Sequence, residues 1–223
     1  MAVSGSVGDI HVFRGLIVFR PRALRLLAVA SAAALGLTLG SGAAGAGVDS
    51  SAAVVDGRDR LVEAVQSDTR IDVVAPLDGN PLTREWFHSG TASYRVTGPD
   101  AASWAGRLTV GYQIGYPATL DGRLKFEWST PGLGIEVGTG GPTVKIDGLL
   151  PRAGVELGVG FGPGIREVEV AAGDVTGTDG VLRLAGFHGT VTGVLGPANL
   201  RPFVRIVSAT GDTVVTYGPT VSF

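Results

Sequence analysis

The chain has 223 residues, of which 36 are glycine and none is cysteine. The lack of cysteine excludes disulfides, thiolate metal sites and cysteine nucleophiles, and His11, His88 and His188 are the only histidines available for acid–base or metal chemistry. Eighteen Lys and Arg against 20 Asp and Glu exclude a nucleic-acid surface built on bulk positive charge, and a mean hydropathy of +0.31 points away from an ordinary cytosolic enzyme.

Residues 1–46 read as an export signal that is cleaved. Arg20, Arg22 and Arg25 form a basic region. Leu26–Leu39 follows as a 14-residue run rich in Ala and Leu, and small residues then end at Ala44-Gly45-Ala46, an A-x-A-like cleavage site. A spanning helix needs about 20 apolar residues, so this run is too short to be an anchor. The expected mature chain is Gly47–Phe223. It keeps 14 basic and 19 acidic residues, a net charge of −5.

Along the mature chain Gly or Pro recurs every ten residues or so, the spacing of many short strands in a sandwich or barrel. Arg60–Asp68 fits a short amphipathic helix and an alternating strand about equally. Pro81–Ser89 predicts a helix, with Asn80 as cap, Pro81 at the first helical position and Gly90 as stop. No repeat of solenoid or propeller period is present.

Ala118–Gly162 is the most informative stretch. From Leu120 to Ser129 the even positions are Leu120, Gly122, Leu124, Phe126 and Trp128, and the odd positions are Asp121, Arg123, Lys125, Glu127 and Ser129. Apolar and charged faces alternating with period two define a β-strand. A second such strand runs through Val144, Ile146, Val155, Leu157, Val159 and Phe161, with Lys145, Asp147 and Glu156 on its polar side. Gly132–Pro142, with five glycines, reads as the loop between them.

Alternation alone leaves a membrane hairpin and a soluble one both open. Length favours the membrane: Ala118–Glu136 would extend about 63 Å at about 3.3 Å per residue, far beyond a usual soluble strand. Tilted by about 40° it would cover about 48 Å, which suits an unusually thick barrier or a protruding stem. Trp128 near one end resembles an interfacial girdle residue. One hairpin cannot cross alone, because its open edges would leave backbone groups unsatisfied in hydrocarbon. Several chains must pool hairpins. About 16 strands leave an aqueous channel, which at two strands per chain means about eight subunits.

Seven segments then carry a family resemblance: Val55-Asp-Gly-Arg-Asp-Arg60, Leu82-Thr-Arg-Glu-Trp-Phe-His-Ser-Gly90, Gly111-Tyr-Gln-Ile-Gly-Tyr-Pro117, Gly162-Pro-Gly-Ile-Arg-Glu-Val168, His188-Gly-Thr-Val-Thr-Gly193, Leu200-Arg-Pro-Phe203 and Thr210-Gly-Asp-Thr-Val-Val-Thr-Tyr-Gly218. In this order, over roughly 47–218, the chain resembles the MspA-type mycobacterial porins, octameric outer-membrane porins of mycolic-acid bacteria. The resemblance implies an all-β fold: a β-sandwich rim domain plus one long amphipathic β-hairpin, residues 111–162, contributed to an oligomeric transmembrane barrel. It implies passive diffusion of small hydrophilic solutes and ions through the outer membrane, with further copies of the chain and outer-membrane lipid as partners. No cofactor, metal or nucleic acid is called for.

The family's pore narrows at an acidic ring near the hairpin tip. Aligned on Thr130-Pro131, those acids fall at Glu136, Val137 and Thr139, so only Glu136 keeps a carboxylate, in a shorter tip loop. Glu136 is therefore the expected constriction. The expected lumen residues are Asp121, Arg123, Lys125, Glu127, Lys145, Asp147, Arg152 and Glu156, and the expected lipid-facing residues are Leu124, Phe126, Trp128, Leu157 and Val159. With Glu136 the lumen carries four basic and five acidic groups per subunit, which favours cations mildly.

Other readings are weaker. His88-Ser89 is no triad, since chain neighbours seldom face each other usefully and no nucleophile elbow is present. Gly160-x-Gly162-x-Gly164 lacks the helix of a phosphate loop. Glu167 and Glu169 form a same-face pair, suited to a subunit contact or to simple solvation. The alternative function is a secreted soluble β-sandwich binding module.

Overall fold

A computed structural model describes residues 47–129, 132–137 and 152–223. Among these the only helical element is a 3-10 turn at Ala101–Ser103; the rest is strand and connection. β1 (Val48–Val55), β2 (Leu61–Val74) and β3 (Thr83–Thr97) form an antiparallel meander, and β4 (Ala105–Tyr116) crosses to a second sheet. The short β5 (Ala118–Thr119) leads into β6 (Arg123–Ser129), β7 (Gly132–Val137) and the returning β8 (Arg152–Gly158). β9 (Gly164–Thr176), β10 (Asp179–Thr192), β11 (Val194–Leu195), β12 (Asn199–Ser208), β13 (Thr213–Tyr217) and β14 (Val221–Ser222) complete the chain.

The seven-stranded sheet has the order β1-β2-β3-β10-β6-β8, with β7 also on β10. The five-stranded sheet has the order β13-β12-β4-β9, with β14 on β12, and β5 pairs with β11. Inward residues of both large sheets meet in one core that includes Trp86, Trp104, Tyr112, Phe126, Phe187, Leu200 and Ile206. Trp86 packs edge-on to Tyr112 at 5.7 Å between ring centroids. Its indole lies where a side chain would stand on Gly189, its register partner across β3 and β10: a Cβ there would come within 2.5 Å of the ring. Only glycine fits that close approach.

Two sequence expectations are corrected. Residues 81–89 do not form a helix. Asn80 does cap, its Oδ1 accepting the Leu82 N–H at 2.9 Å, but the structure capped is a turn leading straight into β3. Trp86, His88, Ala92, Tyr94 and Val96 are then buried on alternate positions while Phe87 points to solvent. Arg60–Asp68 resolves to strand for the same reason, with Val62, Ala64 and Gln66 inward. The expected start of the hairpin also moves. Residues 111–116 belong to β4, hydrogen-bonded between β12 and β9 in the five-stranded sheet, so the hairpin begins only after Gly122.

Candidate channel-lining hairpin

β6 pairs with β8 in register from Arg123 opposite Gly158 to Ser129 opposite Arg152. One face of this pair carries the expected lumen residues. Asp121, Arg123, Lys125, Glu127 and Glu156 are all exposed. Arg123 donates to Glu156 at 2.9 Å and Lys125 lies 3.0 Å from Glu127, so the charges alternate in sign across the surface. The Asp121 carboxylate accepts the Arg123 backbone N–H at 3.1 Å, closing the turn at the hairpin root. Of the remaining expected lumen residues, Lys145 and Asp147 lie outside the described residues, and Arg152 is placed by its backbone alone. The expected constriction residue, Glu136, is placed on β7 opposite Val181 of β10. These positions leave the lumen and constriction roles as expectations.

The opposite face differs from expectation. Leu124 and Phe126, expected to face lipid, are each 1% exposed and belong to the sandwich core of the single chain. Phe126 sits 5.6 Å from Trp86 and 5.4 Å from Trp128 between ring centroids. Trp128, Leu157 and Val159 are half-buried and pack against the same core. The physical reason is that period-two alternation marks an apolar face but not the apolar medium it meets, and here that medium is the chain's own sandwich.

Four polar constellations escaped sequence reasoning. His88, buried, shares a 2.7 Å hydrogen bond between Nδ1 and the Tyr112 hydroxyl; burial lowers its pKa to about 4, with Asp49 opposing. His188 Nε2 meets Glu85 Oε1 at 2.8 Å, while the other carboxylate oxygen of Glu85 accepts the Leu77 N–H. These residues come from two of the motifs, brought together by the β3–β10 register. Asp56 and Arg60 form a buried ion pair, with Arg60 Nε donating at 2.8 Å and the backbone N–H groups of Arg58 and Arg60 also donating to the carboxylate. The Arg60 side-chain hydrogen bond, helped by those amides, holds the Asp56 pKa below its usual value against the effect of burial. Glu167 and Glu169 share one cation within the chain: Arg205 bonds Glu167 and reaches Glu169 at 3.0 Å.

Against known proteins, the MspA family model matches residues 56–222. Porin MspC of Mycolicibacterium smegmatis is 43% identical, over 87% of this chain and 94% of its own length. Porin MspB of the same organism is 42% identical, over 90% and 96% respectively, and its Porin MspA is 43% identical, over 87% and 95%. With a family model covering residues 56–222, well over half of the chain, and relatives matched over nearly their whole lengths, the chain belongs to the MspA family.

Proposed function

We propose that this chain is an exported subunit of a water-filled outer-membrane porin that passes small hydrophilic solutes and ions. The observation that carries the reading is the β6–β8 hairpin, in a chain whose relatives are named porins. One of its faces is charged at nearly every step and the other is apolar throughout. Pooled hairpins from about eight copies would close a barrel of about 16 strands around an aqueous lumen, with Glu136 at the narrowest point. Its carboxylate ring favours cations, while paired charges such as Arg123 with Glu156 contribute little beyond about 10 Å at 0.1 M salt. A channel subunit of this family is not an enzyme.

The test is detergent extraction followed by planar-bilayer recording. A large oligomer that conducts supports the reading. A monomer that stays in aqueous solution and never conducts supports the alternative, a secreted β-sandwich binding module. Burial of Leu124 and Phe126 in the single chain favours that alternative.

A further inference from the structure

One end of the five-stranded sheet carries a groove of about 790 Å³, within the range of about 300–1,000 Å³ common for small-molecule sites. Its floor follows from the period of β4. Tyr112, Ile114 and Tyr116 are buried in the core, so Gln113 and Gly115 lie on the outer face. Gly115 stands opposite Ile165 of β9 and Asn199 of β12, and Gln113 stands opposite Glu167 and Arg201. Two other glycines of β4 answer a steric need: a Cβ on Gly106 would come within 2.5 Å of its neighbours, and one on Gly111 within 2.3 Å. A Cβ on Gly115 meets nothing nearer than 3.9 Å. Its missing side chain therefore relieves no clash; it opens the hollow.

The lining divides into an apolar wall and a small set of donors. Pro117, Pro163 and Pro197 stand beside Ile165, which is 64% exposed. Proline has no N–H, so these residues offer apolar surface without backbone donors. Among the described lining residues Arg201 alone is charged. Its Nε donates to Gln113 Oε1 at 2.7 Å, and its guanidinium lies 4.5 Å from the Tyr217 ring centroid. Those two contacts hold the guanidinium in place and leave its two Nη groups to donate elsewhere. Glu167, the carboxylate in the same row, is taken by Arg205. Tyr116 pairs with Gly164 at the end of the ladder, and both line the groove. The Tyr116 hydroxyl is buried and has no hydrogen-bond partner among the described residues, a state that buried polar groups seldom keep.

We propose that this groove binds a small organic carboxylate with an apolar body. Its carboxylate accepts from the two Nη groups of Arg201, the parallel geometry that a guanidinium favours. Its apolar part covers Ile165 and the three prolines over the hollow at Gly115, which removes exposed apolar surface from water. The Tyr116 hydroxyl donates to a second polar atom of the ligand. Charge sets the class. A lining whose one charge is positive repels an ammonium, and a neutral alcohol leaves the guanidinium without an anion. Such a site exists whether or not the chain conducts, so its test does not involve a channel current.

The test is saturation-transfer NMR on the purified chain, with protein-free detergent micelles as the blank. Three probes separate the two halves of the site: hexanoate has the charge and the apolar body, hexan-1-ol only the body, acetate only the charge. Hexanoate should bind with a dissociation constant of about 1 mM or tighter, and the other two at least about tenfold more weakly. Arg201→Gln should weaken hexanoate by at least about tenfold, to the level of hexan-1-ol. Gly115→Leu keeps every donor but fills the hollow, and should abolish hexanoate binding while leaving the circular dichroism of the fold unchanged. Hexanoate that binds no tighter than hexan-1-ol overturns the proposal, as does a Gly115→Leu protein that binds it as well as wild type. If Arg201→Gln fails to fold, the three probes on wild-type protein and the Gly115→Leu variant decide the matter.

Discussion

Phe126 is the residue at which the single-chain structure makes its sharpest energetic statement. Its ring is 1% exposed and lies against Trp86, Tyr112 and Trp128. A buried Phe removes roughly 200 Å² from water, which at about 25 cal/mol/Å² is about 5 kcal/mol. That is an upper figure, because an unfolded chain already hides part of this area. Truncation in cores costs about 3–5 kcal/mol in practice, so Phe126→Ala should destabilise the monomer by about 4 kcal/mol. With a urea slope of about 2 kcal/mol/M for a domain of this size, the midpoint should fall by about 2 M. The control is Glu127→Ala, next along the strand but exposed, which should move stability by no more than about 0.5 kcal/mol. Urea titration of detergent-free monomer, followed by tryptophan fluorescence, measures both. If the two midpoints shift equally, or Phe126→Ala moves by under about 0.3 M, β6 is not packed in the core as described.

Arg60→Ala should cost about 3–5 kcal/mol by leaving the Asp56 carboxylate buried without its cation, measurable by the same titration; a cost below about 1 kcal/mol would place the pair in contact with water. His88 titrates near 6.5 when unfolded and about 4 when folded, so between those values the unfolded state binds more protons and stability must fall as pH falls from 6.5 to 4. His88→Gln should flatten that part of the curve and leave the Asp56 contribution, which is present above its unfolded pKa of 3.8 and lost at lower pH. An identical slope in the variant would exclude His88 as the cause. Glu136→Gln should abolish most of the cation preference, and Glu136→Lys should reverse it, as read from the reversal potential across a KCl gradient; no change in the Gln variant would move the constriction elsewhere.

Much of the architecture was legible wherever one face of a strand is charged at each step. Arg123, Lys125 and Glu127 against Leu124 and Phe126 admit no helical reading, and β6 is found there. The expected helix at 81–89 failed because Asn80 and Pro81 serve a turn as well as a helix start, and because exposed Phe87 interrupts the inward series of Trp86 and His88. The resemblance gave 111–162 as the hairpin, whereas Tyr112, Ile114 and Tyr116 lie in β4 of the other sheet, with the same alternate burial as Leu124 and Phe126. Neither the Glu85–His188 pair nor the Arg205 clamp on Glu167 and Glu169 leaves a local pattern, since the partners lie 103 and at least 36 residues apart. The medium opposite Leu124 and Phe126 is equally silent in the sequence, because lipid and protein core select the same side chains.

The pairing of β3 with β10 and of β4 with β12 has a consequence for the order in which the chain acquires structure. Trp86 waits for Gly189, and Val110 for Val204. A polypeptide delivered N-terminus first can therefore build the β1–β3 meander early but cannot seal its core until nearly the last strand has arrived. Closing a loop of about 100 residues costs more entropy than closing a hairpin, and topologies dominated by such distant pairings fold slowly. Until residues 179–208 arrive, the nascent chain holds open strand flanks and uncovered aromatic rings, a state that is easily threaded through a narrow passage and equally easily captured by a chaperone or by another copy of itself.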